Sequence, residues 1–150
     1  PSSSLNRLLR LTKKELIHLI QLLSLHDLAQ ELRHTVETKT LKRIYSFLKE
    51  EERKRLKELS SLPKSSAASP LFLDRWDGDE ESFRVLLHRK GLARLSLALR
   101  GQDPDLIWHI CHQLDICRGS TLFKLCSKEA ASPLSESIVQ EIEELIGRYL

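Results

Sequence analysis

Apolar residues recur along the chain at spacings of three and four, and polar residues fill the positions between them. Ser2-Ser3-Ser4 can cap a short helix from Leu5 to Leu11. Thr12 and Glu15 have capping-box spacing, and the helix they open carries Leu16, Leu19, Ile20 and Leu23 on one face. Ser24 and Asp27 repeat that spacing, which predicts a break and a second short helix ending near Arg33. Thr38 or Thr40 opens the next helix, with Leu41, Ile44 and Leu48 inward, and Glu50 to Leu59 follows with Leu56 and Leu59 inward. Ser60 to Pro70 reads as a connector and Leu71 to Gly78 as a short bridge. Phe83, Leu86 and Leu87 mark one helix, and Leu92, Leu95 and Leu99 the next. Gly101 suits the position just past a helix end, and Asp103-Pro104 suits a helix start. Leu106, Ile107, Ile110 and Leu114 form the buried face that follows. Ser120 caps a helix holding Leu122 and Leu125, and Ser132-Pro133 starts a last helix with Ile138, Ile142, Leu145 and Ile146 inward. No segment alternates as a strand does, so the predicted class is all-α.

The pattern repeats. A shift of 67 residues carries Leu16, Leu19, Ile20, Leu28, Leu32 and Arg33 onto Phe83, Leu86, Leu87, Leu95, Leu99 and Arg100. A shift of 66 carries Ile44, Leu48, Leu56 and Leu59 onto Ile110, Leu114, Leu122 and Leu125. A further deletion aligns Ala67-Ala68-Ser69-Pro70-Leu71 with Ala130-Ala131-Ser132-Pro133-Leu134. The chain therefore reads as two helical units, 1–70 and 71–150, in a right-handed stack with one shared core. Helical repeats stack to bury faces that one unit cannot bury alone, and they offer binding surfaces more often than catalytic clefts.

Charge refines this picture. Residues 1–75 carry 15 Lys/Arg against 9 Asp/Glu, and residues 76–150 carry 9 against 12. This asymmetry suits a head-to-tail or an acidic partner, and the net charge of +3 is too small to indicate nucleic acid. Cys111, Cys117 and Cys126 have no regular spacing and read as free thiols in a reducing compartment. No apolar run has membrane-spanning length, and Asn6, Arg7 and Arg10 interrupt the only stretch that could pass for a signal peptide. The chain begins at Pro1 and lacks methionine, so it reads as a piece of a longer protein.

Three groups of residues are candidates for chemistry. His109, Cys111, His112, Asp115 and Cys117 are dense in metal-ligand types, but Cys111 points away from the face shared by His109 and His112. A buried thiol with surface histidines is the preferred reading, and no metal is expected. Asp74, Asp77, Gly78, Asp79, Glu80 and Glu81 resemble a calcium loop, but Trp76 falls on a ligand position, so an acidic turn that caps the next helix is preferred. The basic set Lys39, Lys42, Arg43, Lys49, Arg53, Lys54, Arg55 and Lys57 is interleaved with Glu50, Glu51, Glu52 and Glu58, the pattern of a solvated helix face. No nucleophile–base set or phosphate-cradling glycine loop is present, so neither catalysis nor a cofactor is expected.

The second unit resembles the flagellar motor switch protein family FliG near its C-terminal armadillo-like segment. The resemblance runs through Leu86-Leu87 and Leu95-Ser96-Leu97-Ala98-Leu99-Arg100-Gly101. It continues through Leu106, Ile110, Leu114 and Leu122 to Ser132-Pro133-Leu134-Ser135. It covers Leu71 to Leu150, and it reaches Thr12 to Leu59 through the internal repeat. It implies an armadillo-like superhelical stack acting as an adaptor between proteins of a flagellar or type III secretion basal body. It also implies a cytoplasmic place, peripheral to the inner face of the bacterial inner membrane. The family's Glu-His-Pro-Gln and Gly-Gly-Pro-Gly motifs are missing. Its paired aspartates are replaced here by Ala93-Arg94, and the arginine one turn before that helix's apolar pair is replaced by Glu81. The implied adaptor therefore lacks torque-generating charges.

The expected partners are other ring proteins or a second copy of the chain, without nucleic acid or membrane insertion. Leu5, Leu8 and Leu9 are the expected apolar anchor, Arg53, Lys54 and Arg55 the basic end, and Glu141 and Glu144 the acidic end. Two alternative readings are a magnesium-sensing cytosolic domain like that of MgtE-type transporters, faintly similar at Leu25-His26-Asp27-Leu28-Ala29, and a small nucleic-acid-binding helical domain using Lys39 to Lys57.

Overall fold

A computed structural model describes residues 4–33, 37–62, 76–127 and 135–150. Among these every regular element is helical. A 3₁₀ helix (Ser4–Arg10) is followed by α1 (Lys13–Leu32), α2 (Thr38–Phe47), α3 (Glu50–Ser60), α4 (Glu80–Leu99), α5 (Pro104–Gln113), α6 (Ile116–Ser127) and α7 (Ser135–Tyr149). None of the described helices is long and apolar enough to cross a membrane. The stretch of the connector and bridge from 63 to 75, and the start signal at Ser132-Pro133, lie outside the described residues.

Helix boundaries follow the sequence registers. The shift of 67 carries α1 onto α4 from end to end, and the shift of 66 carries α2 onto α5 and the start of α3 onto that of α6. Local signals fix several ends. Thr12 and Glu15 form the reciprocal capping box, with bonds of 3.1 and 3.0 Å. Asp79 caps α4, and Asp103 with Pro104 opens α5. Gly101 takes φ +83°, a left-handed backbone that glycine adopts without a Cβ penalty.

Two expected breaks are absent. With neither Gly nor Pro between Lys13 and Leu32, α1 runs unbroken, and the Ser24 hydroxyl donates back to the Gln21 carbonyl (2.7 Å) instead of capping a new helix. α4 likewise runs through the expected gap between Leu87 and Leu92. α6 begins at Ile116 rather than at Ser120, because the Asp115 carboxylate accepts from the Arg118 backbone N–H.

The two long helices lie together at the centre. α3 flanks α1, α6 flanks α4, and α5 packs on α6. α7 lies across both α4 and α1, while the 3₁₀ helix seats against α5 and α7. One apolar core joins the two halves, from Leu5 through Leu16, Leu19 and Ile20 to Phe83, Ile110, Ile142 and Leu145. Every residue of α1 from Leu22 to Glu31 is buried, so its second half has no solvent face. Phe47, Trp76 and Phe83 cluster where the end of α2 meets the start of α4, with ring centroids 5.3–6.1 Å apart.

Near-equivalent positions of α1 and α4 meet, and their contacts advance in the same sense along both helices. Gly91 lies against Ile20, and Arg94 pairs with Asp27, its own repeat-mate. A matching clasp closes each half. Arg33 donates to the Ser60 and Leu62 carbonyls at the end of α3, and Arg100 donates to the Leu125 carbonyl near the end of α6 (3.2 Å).

Glycines locate the tight contacts. A Cβ on Gly91 would fall on the Ile20 carbonyl oxygen and within 2.9 Å of Ile20 Cγ2, both at the centre of the bundle. Gly147 in α7 has nothing within 4 Å of that position. Gly91→Ala is therefore expected to cost about 1–3 kcal/mol by overpacking. Gly147→Ala should gain about 0.5–1 kcal/mol from helix propensity. Urea denaturation of both variants checks the pair, and equal effects would contradict the close seam.

Candidate functional site: two equivalent grooves

Two grooves among the described residues lie at equivalent places in the two units. The first, about 520 Å³, lies between α1 and α3, and the second, about 420 Å³, between α4 and α6. Each of the nine residues lining the second groove is the repeat-mate of one lining the first. Arg84, Val85, His88, Arg89 and Leu92 stand where Ile17, His18, Gln21, Leu22 and Leu25 stand. Asp115, Cys117, Arg118 and Thr121 stand where Lys49, Glu51, Glu52 and Arg55 stand. The shape is conserved between the units while the charge is not.

Glu52 organises the first groove and is 5% exposed. It accepts two bonds from the Arg84 guanidinium (2.7 and 3.0 Å), one from the Gln21 amide (3.0 Å) and one from the Lys49 backbone N–H (2.9 Å). Burial raises the Glu52 carboxyl, but these bonds outweigh it and hold the group below its ordinary value. Arg84 also donates to the Phe47 carbonyl (2.5 Å), which ties the second unit to α2 and α3.

Arg118 occupies the equivalent place in the second groove. It bonds the Asp115 carboxylate (2.8 Å) and the His88 ring nitrogen Nε2 (3.0 Å). Burial and the Arg118 charge push the His88 imidazole below its ordinary value, so the ring stays neutral and accepts the guanidinium N–H. Leu92 gives this groove an apolar floor, and exposed Arg89 stands on its rim.

A second polar cluster lies inside the bundle. Arg94, 1% exposed, donates to Asp27 (2.6 Å) on α1 and to Glu141 on α7. Burial lifts the Asp27 carboxyl to about 6 in spite of Arg94, so at neutral pH it remains ionised and paired. Burial pushes the neighbouring His26 imidazole below its ordinary value, and neither ring nitrogen has a partner among the described residues.

The expected binding ends are redistributed. Leu5 and Leu8, expected as an exposed anchor, are 1% and 0% exposed, because the 3₁₀ helix turns them into the chain's own core. Only Leu9 of the three faces solvent. Glu141, expected on an acidic outer face, is committed to Arg94. Glu144 is exposed and lies 3.5 Å from Arg148. Arg53 donates to the Tyr45 and Leu48 carbonyls (2.9 and 3.1 Å), and Lys54 is exposed. Arg55 lines the first groove and stacks 4.7 Å from the centre of the Tyr149 ring.

The metal-type residues diverge. His112 stacks on Trp108, Cys111 is buried, Cys117 is exposed and Asp115 is held by Arg118. Among the described residues no three such groups converge. The acidic turn works as a cap, with Asp77 accepting from the Asp79 N–H (3.0 Å) and the Ser82 hydroxyl (2.9 Å).

Glu52 gives the site a pH signature. Its folded value lies below its ordinary value of 4.5, so its contribution is complete above 4.5 and is lost as pH falls through the folded value. Glu52→Gln should lower stability by about 1–3 kcal/mol at neutral pH. The gap to wild type should close in acid, once the wild-type carboxyl is itself protonated. Urea melts across a pH series check this, and a gap that stays constant into strong acid would refute it.

With this geometry in hand, comparison with known proteins adds no relative: no protein-family model, curated protein or solved structure matches the chain.

Proposed function

We propose that the chain is a non-enzymatic protein–protein adaptor, a FliG-like module of a flagellar or type III secretion basal body. In this reading its second groove receives an acidic segment of another ring protein. The observation that carries it is the divergence of the two grooves. Position by position they share one shape, yet Leu22, Glu51 and Glu52 in the first become Arg89, Cys117 and Arg118 in the second. The first groove is spanned internally by Glu52 and Gln21, whereas the second combines an apolar floor with basic walls. Such a groove suits a peptide that offers carboxylates and one apolar anchor. The helical repeat and the Leu95–Gly101 resemblance supply the basal-body context. Arg94, in place of one of the family's aspartates, is turned into the core, which agrees with an adaptor lacking torque-generating charges.

The test is co-purification with a tagged chain in its native host. Wild type is expected to retain ring proteins of the basal body, and the Arg89→Glu, Arg118→Glu double variant to lose them. Lys54→Glu, on an exposed position outside the groove, should behave as wild type. Retention by the folded double variant would overturn the groove, and an eluate without ring proteins would overturn the basal-body assignment.

A further inference from the structure

At three equivalent positions the second unit exposes a large apolar side chain where the first exposes a charge. Trp108, Ile116 and Phe123 are 58%, 89% and 52% exposed. Their repeat-mates are Lys42, Glu50 and Lys57, also exposed. The first unit is thus an internal control: the fold accepts charge at all three positions, so packing does not account for the apolar residues.

All three lie within one helical turn of the contact between α5 and α6. α5 and α6 approach most closely where Gly119 meets the Cys111 backbone. Trp108 lies one helical turn from Cys111, and Ile116 and Phe123 lie one turn to either side of Gly119. Trp108 is held by its stack on His112, with ring centroids 4.0 Å apart.

We propose that this face of the α5–α6 pair is the interface of a two-fold homodimer, with second unit against second unit. At their exposures the three side chains present roughly 400 Å² of apolar surface, about half of the ~800 Å² that each partner buries in a stable interface. Pairing the patch with itself buries roughly 800 Å² of apolar surface in all, about half of the ~1,600 Å² total of a stable interface, and the polar rim of His109, His112, Ser120 and Lys124 on each partner supplies the rest. That rim carries one fixed charge, so it offers little to select an oppositely charged partner. The same face of the first unit is charged and cannot substitute, so each chain has one patch and the assembly closes at two copies. The inference is independent of the α4–α6 groove.

The test is sedimentation velocity across a wide concentration range. Wild type should move from monomer to dimer and no further. The triple variant Trp108→Lys, Ile116→Glu, Phe123→Lys installs the first unit's own residues and should remain a monomer with an unchanged helical circular dichroism spectrum. Ile116→Ser alone cannot disturb the core at its exposure, and it should weaken the dimer by about tenfold. Arg89→Glu, in the groove, should dimerise as wild type does. A wild type that stays monomeric, one that grows past two copies, or an Ile116→Ser variant that dimerises unchanged would each overturn the proposal.

Discussion

The ion pair between Asp27 and Arg94 states the constraint on which the bundle rests. Where a helix crosses its own repeat-mate, a side chain at the crossing can meet its counterpart from the other unit. An apolar position tolerates that meeting, but a charged one does not unless the charge is reversed between units. Arg94 answers Asp27 in this way, and Glu141 brings α7 to the same guanidinium. Burying charges gains little net energy, because desolvation offsets most of the attraction. Its effect is on register: a slip of α1 along α4 would strand a buried charge at about 3–5 kcal/mol. That is a large part of the ~5–15 kcal/mol that keeps a domain folded.

Charge reversal recurs away from the seam. Lys49 becomes Asp115 and Glu52 becomes Arg118, and in each unit the two positions still hold each other at the start of α3 or α6. The local capping function survives the exchange while the sign of the groove changes. Glu52 then reaches out to Arg84 and becomes a joint between the units, whereas Arg118 bonds Asp115 and His88 on the groove wall. The two units share helix order and differ in surface: one carries the internal joint, and the other carries a basic groove and an exposed apolar face.

Much of the fold was legible in the sequence, for physical reasons. The spacing of Leu16, Leu19, Ile20 and Leu23 marked a buried face, and the capping chemistry of Thr12, Asp103 and Gly101 set helix ends to the residue. The repeat shifts located matching helices. The expected break at Ser24 failed because a serine on a helix can turn its hydroxyl back to its own turn, and capping spacing alone does not interrupt a helix whose apolar face continues. The roles of Leu5, Leu8 and Glu141 were misjudged for another reason. An amphipathic element at a chain end looks the same whether its apolar face meets a partner or its own core, and spacing does not distinguish the two. Glu52 was hidden among Glu50, Glu51 and Glu58 as one more surface acid, since burial from a second helix leaves no mark on local pattern. The usable signal was the pair of opposite charges at the equivalent positions 27 and 94, each set among apolar neighbours in the second half of its helix and legible once the repeat register is drawn.

Tyr149, the last helical residue, donates its hydroxyl to Glu58 (2.7 Å) and lies under Arg55, both on α3 of the first unit. An open array of repeats gains stability one neighbour at a time, and its end units can fray while the middle stays folded. Here α7 lies on both central helices and returns to α3 of the first unit, so it ties the two units together. Loosening α7 would uncover both central helices and release Tyr149 from α3. The two units are therefore joined by a third element as well as by the seam between α1 and α4, a closure that a nearest-neighbour array does not have.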